Sequence, residues 1–264
     1  KYMSVGGPIP SDVHGKNHHT EGCFVECVLS FKIMDEKGVI LNCSREENSD
    51  KFWATIGGMG LTGIILSAKI KLKNIESAYI RQESIKAENL SEIFRLFEES
   101  EDWTYTVAWI DCLQKGKNIG RSILMRGEHA LKVELPFKLA DKPLRLKKKF
   151  SPTVPFYFPK FVLNKFTVKA FNFLYFNKQR PKVAKNIIDY ETFFYPLDAI
   201  NDWNRIYGKS GFIQYQMVIP KEKGEEGMRR ILETIANSGQ GSFLAVLKLF
   251  GKNNPLAYNS FPFE

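Results

Sequence analysis

The sequence predicts an α+β protein in two parts, on three observations. Its first 76 residues are dense in glycine and short apolar runs. Beyond them, longer strand-like runs alternate with amphipathic helical patterns across short connections, which implies a largely antiparallel sheet covered by helices. Finally, 44% of the 264 residues are hydrophobic and 13% aromatic, enough to bury one sizeable core or two modest ones, and this excludes disorder as the global state. A domain boundary is placed near residue 76, giving parts 1–76 and 77–264. No repeat recurs at a period of roughly 20 to 50 residues.

In chain order, residues 2–5 form a strand-like run leading into Gly6-Gly7-Pro8, followed by loop chemistry from Ser11 to His19. Residues 24–34 and 39–43 are β-rich and flank Asp35-Glu36-Lys37-Gly38, a hairpin with a glycine-containing turn. A short helix is expected over 49–54, then a second glycine-rich loop, then a strand over 64–72. In the second part, strands are expected over 78–85, 104–112, 122–126, 211–219 and 242–250. Asn89 followed by Glu92 has the pattern of an N-cap with its capping-box partner, opening a helix whose Ile93, Leu96 and Phe97 share a face. Pro136, Pro143, Pro152, Pro155 and Pro159 rule out a long helix before residue 160, whereas 160–178 suits one. Further helices are expected over 196–207, stopped by Gly208, and over 222–237, ended by Gly239.

The net charge is +9, but it is one segment's property: residues 132–185 carry 14 Lys and Arg against Glu134 and Asp141, and the remainder of the chain is net negative. No run approaches the roughly 20 apolar residues of a membrane span, and no signal-peptide pattern opens the chain. Cys23, Cys27, Cys43 and Cys112 make neither a disulfide framework nor a paired zinc motif, so they are expected reduced and mostly packed, in a reducing, cytoplasmic setting. The chain begins at Lys1 without a Met and stops at Glu264 just after a strand-like run, so it reads as a fragment.

Three of the four histidines, His14, His18 and His19, fall within six positions. His14 and His18 stand four apart as in zinc helices, but Gly15 and the nearby prolines disfavour a helix and no further His or Cys pair completes a ligand set, so no metal is expected. A polar surface loop is the plain alternative. The better expectation is a cofactor loop, in which Gly6, Gly7 and Gly15 let the backbone approach a ligand while His14 and Lys16 point at it. Residues 57–63, GGMGLTG, form a second such loop. They contain GxGxxG, yet an apolar β run follows where a dinucleotide fingerprint would open a helix. Lys248 is the only charge in the apolar run 244–250, sharing strand parity with Val246 and Phe250; an exposed edge lysine and a phosphate or sugar contact both remain open. Gln214 and Gln216 share a face of another apolar run, where a structural network and a substrate contact are equally open. Trp109 is either core packing or a ligand contact, and His129 is expected at the surface.

The strings SVGGPIPSDVHGKNHH and FWATIGGMGLTGIIL, with TVAWIDC, DWNRIYGKSGFIQYQMVIP and SFLAVLKLFG further on, resemble vanillyl-alcohol-oxidase-type flavoproteins, most closely the decaprenylphosphoryl-β-D-ribose 2-oxidase family, over nearly the whole chain. The resemblance implies that residues 1–76 are the second lobe of a PCMH-type FAD-binding domain and that 77–264 are a substrate domain. It implies non-covalent FAD lined by Gly7, Ser11, Asp12, His14, Gly15, Asn17, Gly58, Met59, Gly60, Gly63 and Ile65. His14 and Lys16 would lie at the reacting edge, and Lys16, Trp109, Gln216, Lys248 and Phe250 at the substrate. Met59, Phe194-Tyr195 and Ala245 depart from the mycobacterial pattern. The family also uses a first lobe and C-terminal residues that this chain does not supply, so the fragment alone is expected to bind FAD poorly or not at all.

The implied activity is oxidation of the 2-hydroxyl of a polyprenylphosphoryl ribose to a 2-keto sugar. An NAD(P)H-dependent short-chain reductase would act as pathway partner, completing epimerisation to arabinose for the cell wall. Two alternatives stay open: an oxidase of the same fold acting on another sugar alcohol or aldonolactone, and a non-catalytic module that binds anionic lipid. For the aromatic-rich basic segment two readings stay equally open: packed aromatics under a solvated basic skin, and peripheral membrane contact through Lys147, Lys148 and Lys149 among others. Nucleic acid is not expected, because no groove-reading element accompanies the charge.

Overall fold

The computed structural model describes residues 4–147 and 149–262, so Tyr2 and Lys148 lie outside the described residues. The chain divides into two compact units, one running to Asn74 and rejoined by the chain from Leu249 on, the other spanning Ile75–Lys248. The sequence expectation grouped residues 249–264 with the second part; packing puts 249–262 with the first.

In the first unit, residues 5–12 form consecutive turns, with Ser4 outside any strand. A four-residue helix, α1 (His18–Glu21), and a 3-10 turn at Phe24–Cys27 follow, and the expected strand starts only at Val28. Strands β1 (Val28–Met34) and β2 (Ile40–Ser44) make the hairpin, and α2 (Ser49–Thr55) leads through the second glycine loop into β3 (Ile64–Ile70). The sheet has order β2-β1-β3 and is antiparallel throughout, with Phe31 opposite both Cys43 and Ala68. Alternation along β1 buries Phe31 and Ile33 and exposes Lys32, giving the sheet one apolar face. On it sits Phe52 of α2, stacked on Phe31 at 5.2 Å, with Trp53 edge-on to Phe52 at 5.1 Å. Ile9, Val25 and Ala257 complete this core, so the first loop and the returning C-terminal segment are both part of it.

In the second unit, β4 (Tyr79–Ala87), α3 (Leu90–Glu98), β5 (Tyr105–Ile110), β6 (Ser122–His129), α4 (Phe137–Ala140), α5 (Lys165–Lys178), β7 (Val183–Asp189), α6 (Tyr190–Phe194), α7 (Gly224–Ser238) and β8 (Val246–Leu247) follow in order. The sheet order is β7-β4-β6-β5-β8, every pair antiparallel. The expected cap is present: Asn89 accepts from the Glu92 N–H at 3.0 Å, while the Glu92 carboxylate accepts from the Glu88 N–H at 2.8 Å. Asn164 caps α5 in the same way, accepting from Phe166 and Thr167. Gly239, with φ of 72°, takes the left-handed position that ends α7.

Four expectations fail. Residues 211–219 form no strand; propensity alone does not make one, since a strand also needs a ladder, and this run finds none among the described residues. The run over 242–250 pairs only through Val246 and Leu247, against Trp109 and Ala108. Residues 196–207 break into two 3-10 turns, Pro196–Ala199 and Trp203–Tyr207, around Asp202 with its φ of 53°. His129 is half-buried, its ring edge-on to Tyr105 at 5.7 Å, because it ends a strand that runs under α6. Three elements, the single-turn α4, β7 and α6, went unforeseen because their sequence lies within or beside the lysine-rich segment and carries little alternation.

Within this unit, Asp111 is buried and receives four hydrogen bonds: from Arg121 at 2.7 Å, Asn172 at 2.8 Å, Gln114 at 2.8 Å and the Leu113 N–H at 3.2 Å. This ties α5 to the end of β5. Trp109 and its register partner Ile123 pack there against Phe176, with Tyr175 at 4.7 Å from the indole. Replacing Arg121 with Met leaves the Asp111 charge buried without its cation, and we expect a loss of about 3–5 kcal/mol in urea unfolding. Combining it with Asp111→Leu should recover most of that loss, and an undiminished stability in Arg121→Met alone would contradict the network's role.

Candidate functional site

The site is built in the first unit from two glycine-rich turns and the C-terminal return. In the first turn, the Ser11 N–H bonds to the Gly7 oxygen at 3.3 Å, Asp12 N–H to Ile9 at 3.1 Å and Val13 N–H to Pro8 at 3.2 Å. The chain there is wound tightly, with Asp12 at φ 36°. The Asp12 side chain is only 1% exposed; it accepts from the Val25 N–H at 2.8 Å and from the Ser260 hydroxyl. Burial pushes its carboxyl above the usual range, although the hydrogen bonds from Ser260, Val25 and Cys23 act the other way. The Cys23 thiol beside it is pushed up to about 12, first by burial and then by the Asp12 charge.

The second turn follows α2, with Gly57, Met59, Gly60 and Gly63 all at positive φ. The Met59 N–H bonds to the Pro10 oxygen at 2.8 Å, so the two turns sit side by side. Thr55 and Thr62 close the base of the second turn with a hydroxyl pair at 2.8 Å.

The glycines serve different ends. A Cβ on Gly58 would meet the Ala54 oxygen at 2.2 Å, on Gly63 the Met34 oxygen at 2.4 Å, and on Gly57 the Asn259 oxygen at 2.5 Å. Those three are required by close approach of the protein's own backbone. A Cβ on Gly6 or Gly60 would meet nothing within 4 Å, and on Gly7 only Ser4. Gly6 and Gly60 therefore mark the open side of the paired turns, where a ligand's atoms could lie against main chain. Gly15 is closed by Asn17, whose Oδ1 lies 2.3 Å from the place of a Cβ.

The C-terminal return supplies Phe250, whose ring lies 4.8 Å from His14 and 4.7 Å from His18. The Gly251 N–H donates to His18 Nδ1 at 3.1 Å, which makes Nδ1 an acceptor and puts the proton of the neutral ring on Nε2. His14 is further fixed by a β-bridge to Cys23. Asn254 donates to Glu26 at 2.9 Å and Asn259 to the Ala54 oxygen at 3.3 Å.

Of the predicted residues, the structure brings His14, Phe250, Gly7, Ser11, Met59 and Gly60 to these turns and their neighbours, with Lys16 half-buried on the same loop. Asp12 is turned inward, Asn17 donates to Glu21 at 2.6 Å, and Ile65 packs on the sheet's core face, so these three shape the loops from beneath. In the second unit, Trp109 is buried with its indole N–H on the Phe243 oxygen at 2.9 Å. Gln216 is exposed, as is Gln214, contrary to the expected half-buried strand face. Lys248 is half-buried, and burial lowers its ammonium below the usual lysine range. The sequence reading missed His18 as a structural acceptor and Ser260 and Asn259 as supports; the NNP pattern at 253–255 signals a turn but not its destination.

No protein-family model matches the chain. It is 38% identical over 263 residues to decaprenylphosphoryl-β-D-ribose oxidase of Mycolicibacterium smegmatis, covering 98% of this chain and 57% of that protein. An uncharacterised protein of Streptomyces coelicolor is 26% identical over 98% of this chain and 71% of its own length. Cytokinin dehydrogenase 3 of Arabidopsis thaliana is 38% identical over 72 residues, 27% of this chain and 14% of that enzyme. The chain thus spans little more than half the length of the first of these relatives.

Asp12→Ala removes the acceptor of Val25 and Ser260, and we expect a loss of about 1–3 kcal/mol, with Asp12→Asn staying within about 1 kcal/mol because its amide can accept from Val25 and donate to Ser260. Because the folded carboxyl titrates above its unfolded value, its contribution is largest in acid and declines as pH rises through the raised value. Urea unfolding across pH should show that slope in the wild type and its loss in Asp12→Asn; equal slopes would contradict the assignment. Gly58→Ala should be destabilised by backbone collision, whereas Gly6→Ala should melt as the wild type does.

Proposed function

We propose, from its 38% identity over 98% of its length to decaprenylphosphoryl-β-D-ribose oxidase, that this chain is part of an FAD-dependent oxidoreductase of that family, oxidising the 2-hydroxyl of a polyprenylphosphoryl ribose to the 2-keto sugar. The observation that carries this proposal is the pair of turns joined through Met59 and Pro10, open at Gly6 and Gly60, with His14 and Lys16 on the adjoining loop. Side-chain-free main chain on both turns suits a flat, extended cofactor with an anionic pyrophosphate, since backbone dipoles can approach it closely. Bound FAD supplies the acceptor for the hydride that leaves C2 of the sugar.

The chain's own residues bind and orient. Phe250 packs edge-on against the His14 ring and the bridge to Cys23 holds the His14 backbone; in this proposal Lys16, two residues on, holds the sugar or the flavin edge. Lys248, the last residue of the second unit, is a partly desolvated cation suited to a phosphate oxygen, with Gln216 as a further substrate-side group. Trp109 supports the sheet face from within. A lipid-linked substrate implies peripheral contact with a membrane, and a 2-keto product implies a nicotinamide-dependent reductase as the next enzyme.

Expressed from its complete reading frame, the protein should copurify with FAD, and anaerobic addition of polyprenylphosphoryl ribose should bleach the flavin absorbance. Bleaching by an aldonolactone or a simple sugar alcohol instead would favour the related-oxidase alternative, and a colourless protein that takes up no FAD would overturn the proposal. Gly6→Ala should weaken FAD binding at unchanged melting temperature. Lys16→Met should raise KM or lower kcat while keeping the flavin.

A further inference from the structure

Helix α5 is built the wrong way round for a surface helix. Val168, Asn172 and Phe176, four residues apart, form its buried stripe, and the central one is a polar amide that reaches Asp111. The opposite side, where the 3.6-residue period puts Phe166, Ala170, Phe173, Leu174 and Asn177, is solvent-exposed: Phe166 is 80% exposed, Leu174 66% and Phe173 57%. A helix that is apolar on its outer face as well as its inner one is expected to be covered. Phe161, 76% exposed, lies just before the helix, its backbone oxygen accepting from Asn164 at 2.8 Å in the cap.

The charge around this face is one-sided. Between Asp141 and Asp189 the sequence has no carboxylate and twelve Lys and Arg. Some of these cations are committed elsewhere: Lys149 to Asp189 and Thr192, Lys182 to Glu92 at 2.7 Å and Lys185 to Glu83 at 2.7 Å. Of the Lys147–Lys149 cluster singled out from sequence, Lys149 is thus engaged, and Lys148 lies outside the described residues. Lys165, Lys169 and Lys178 are exposed on α5 itself and flank the aromatic face. An apolar stripe of phenylalanine and leucine flanked by lysines could enter an acidic apolar protein groove or an anionic bilayer, and the lipid-linked substrate proposed above favours the bilayer. At the boundary of an anionic bilayer the rings enter the acyl region and the lysines reach headgroup phosphates.

We propose that the outward face of α5, with Phe161, is the surface by which this protein docks on anionic phospholipid bilayers. The docking deepens the lipid-substrate reading above by naming the face on which the membrane is met. The Asp111–Arg121–Asn172 network holds the helix rigid beneath that face, so docking needs no refolding.

The test is sedimentation of the protein with vesicles of phosphatidylglycerol and, separately, of phosphatidylcholine. The wild type should partition onto phosphatidylglycerol and far less onto phosphatidylcholine. Phe166→Ser/Phe173→Ser/Leu174→Ser should lose about tenfold or more of that partition, and Lys169→Gln/Lys178→Gln about fivefold per lysine. Circular dichroism and the melting temperature should stay at wild-type values, since every substituted side chain is exposed. Unchanged partition in both variants would overturn the proposal, as would a wild-type dimer that the triple variant breaks without any vesicle binding. Turnover of detergent-dispersed substrate should be equal in all three proteins. Failure of docking with turnover intact would count against this face alone, whereas docking without flavin turnover would count against the oxidase reading alone.

Discussion

One buried carboxylate organises the first unit. Asp12 sits in a left-handed turn and takes its hydrogen bonds from segments far apart in sequence, the Val25 N–H after the first loop and the Ser260 hydroxyl at the C-terminal return. A buried acid needs such partners because an unsatisfied one costs more than a hydrogen bond returns. With Asp12 fixed, residues 5–12 have one conformation, the Pro10 oxygen has one position, and the second turn can dock on it through Met59. The chain from Leu249 on then closes the arrangement, with Ala257 in the core and Phe250 between two histidines. The candidate cofactor wall is therefore a product of the knot beneath it, and the open glycines on top are usable because inward-facing residues carry the strain.

Much of this was legible in the sequence where local chemistry decides. The hairpin around Asp35-Gly38, the Asn89 cap, the stop at Gly239 and the helix over 165–178 each depend on neighbours within a few residues. The two glycine loops were likewise recognisable, and their residues carried the family resemblance. What was not legible depends on partners distant in sequence. Gly57, Gly58 and Gly63 look like ligand glycines, yet they are required by the approach of Asn259, Ala54 and Met34. Residues 211–219 have strand propensity without a ladder, and 249–262 look like an ending of the second part until Ser260 meets Asp12. Asp12 itself is the clearest case: a polar residue in a polar-looking loop, turned inward.

The second unit shows the same division of labour with the signs reversed. A buried ion pair and amide, with Val168 and Phe176, hold the inner side of α5 on the sheet and leave its outer apolar side uncovered. That leaves phenylalanine and leucine outside among lysines, a composition that would be a liability in a protein without a lipid to meet. The segment's positive charge and the lipid-linked substrate of the proposed reaction thus share a physical explanation: a water-facing catalyst has to reach a substrate whose polyprenyl chain stays in the bilayer.

The central claim, that Asp12 fixes both turns through Pro10 and Met59, is tested most directly by amide hydrogen exchange on the wild type and Asp12→Ala. The account predicts that the substitution raises exchange together at residues 9–13 and at Met59 and Gly60, while β1 and β2 keep their protection. Faster exchange confined to the first turn, with Met59 unchanged, would contradict it.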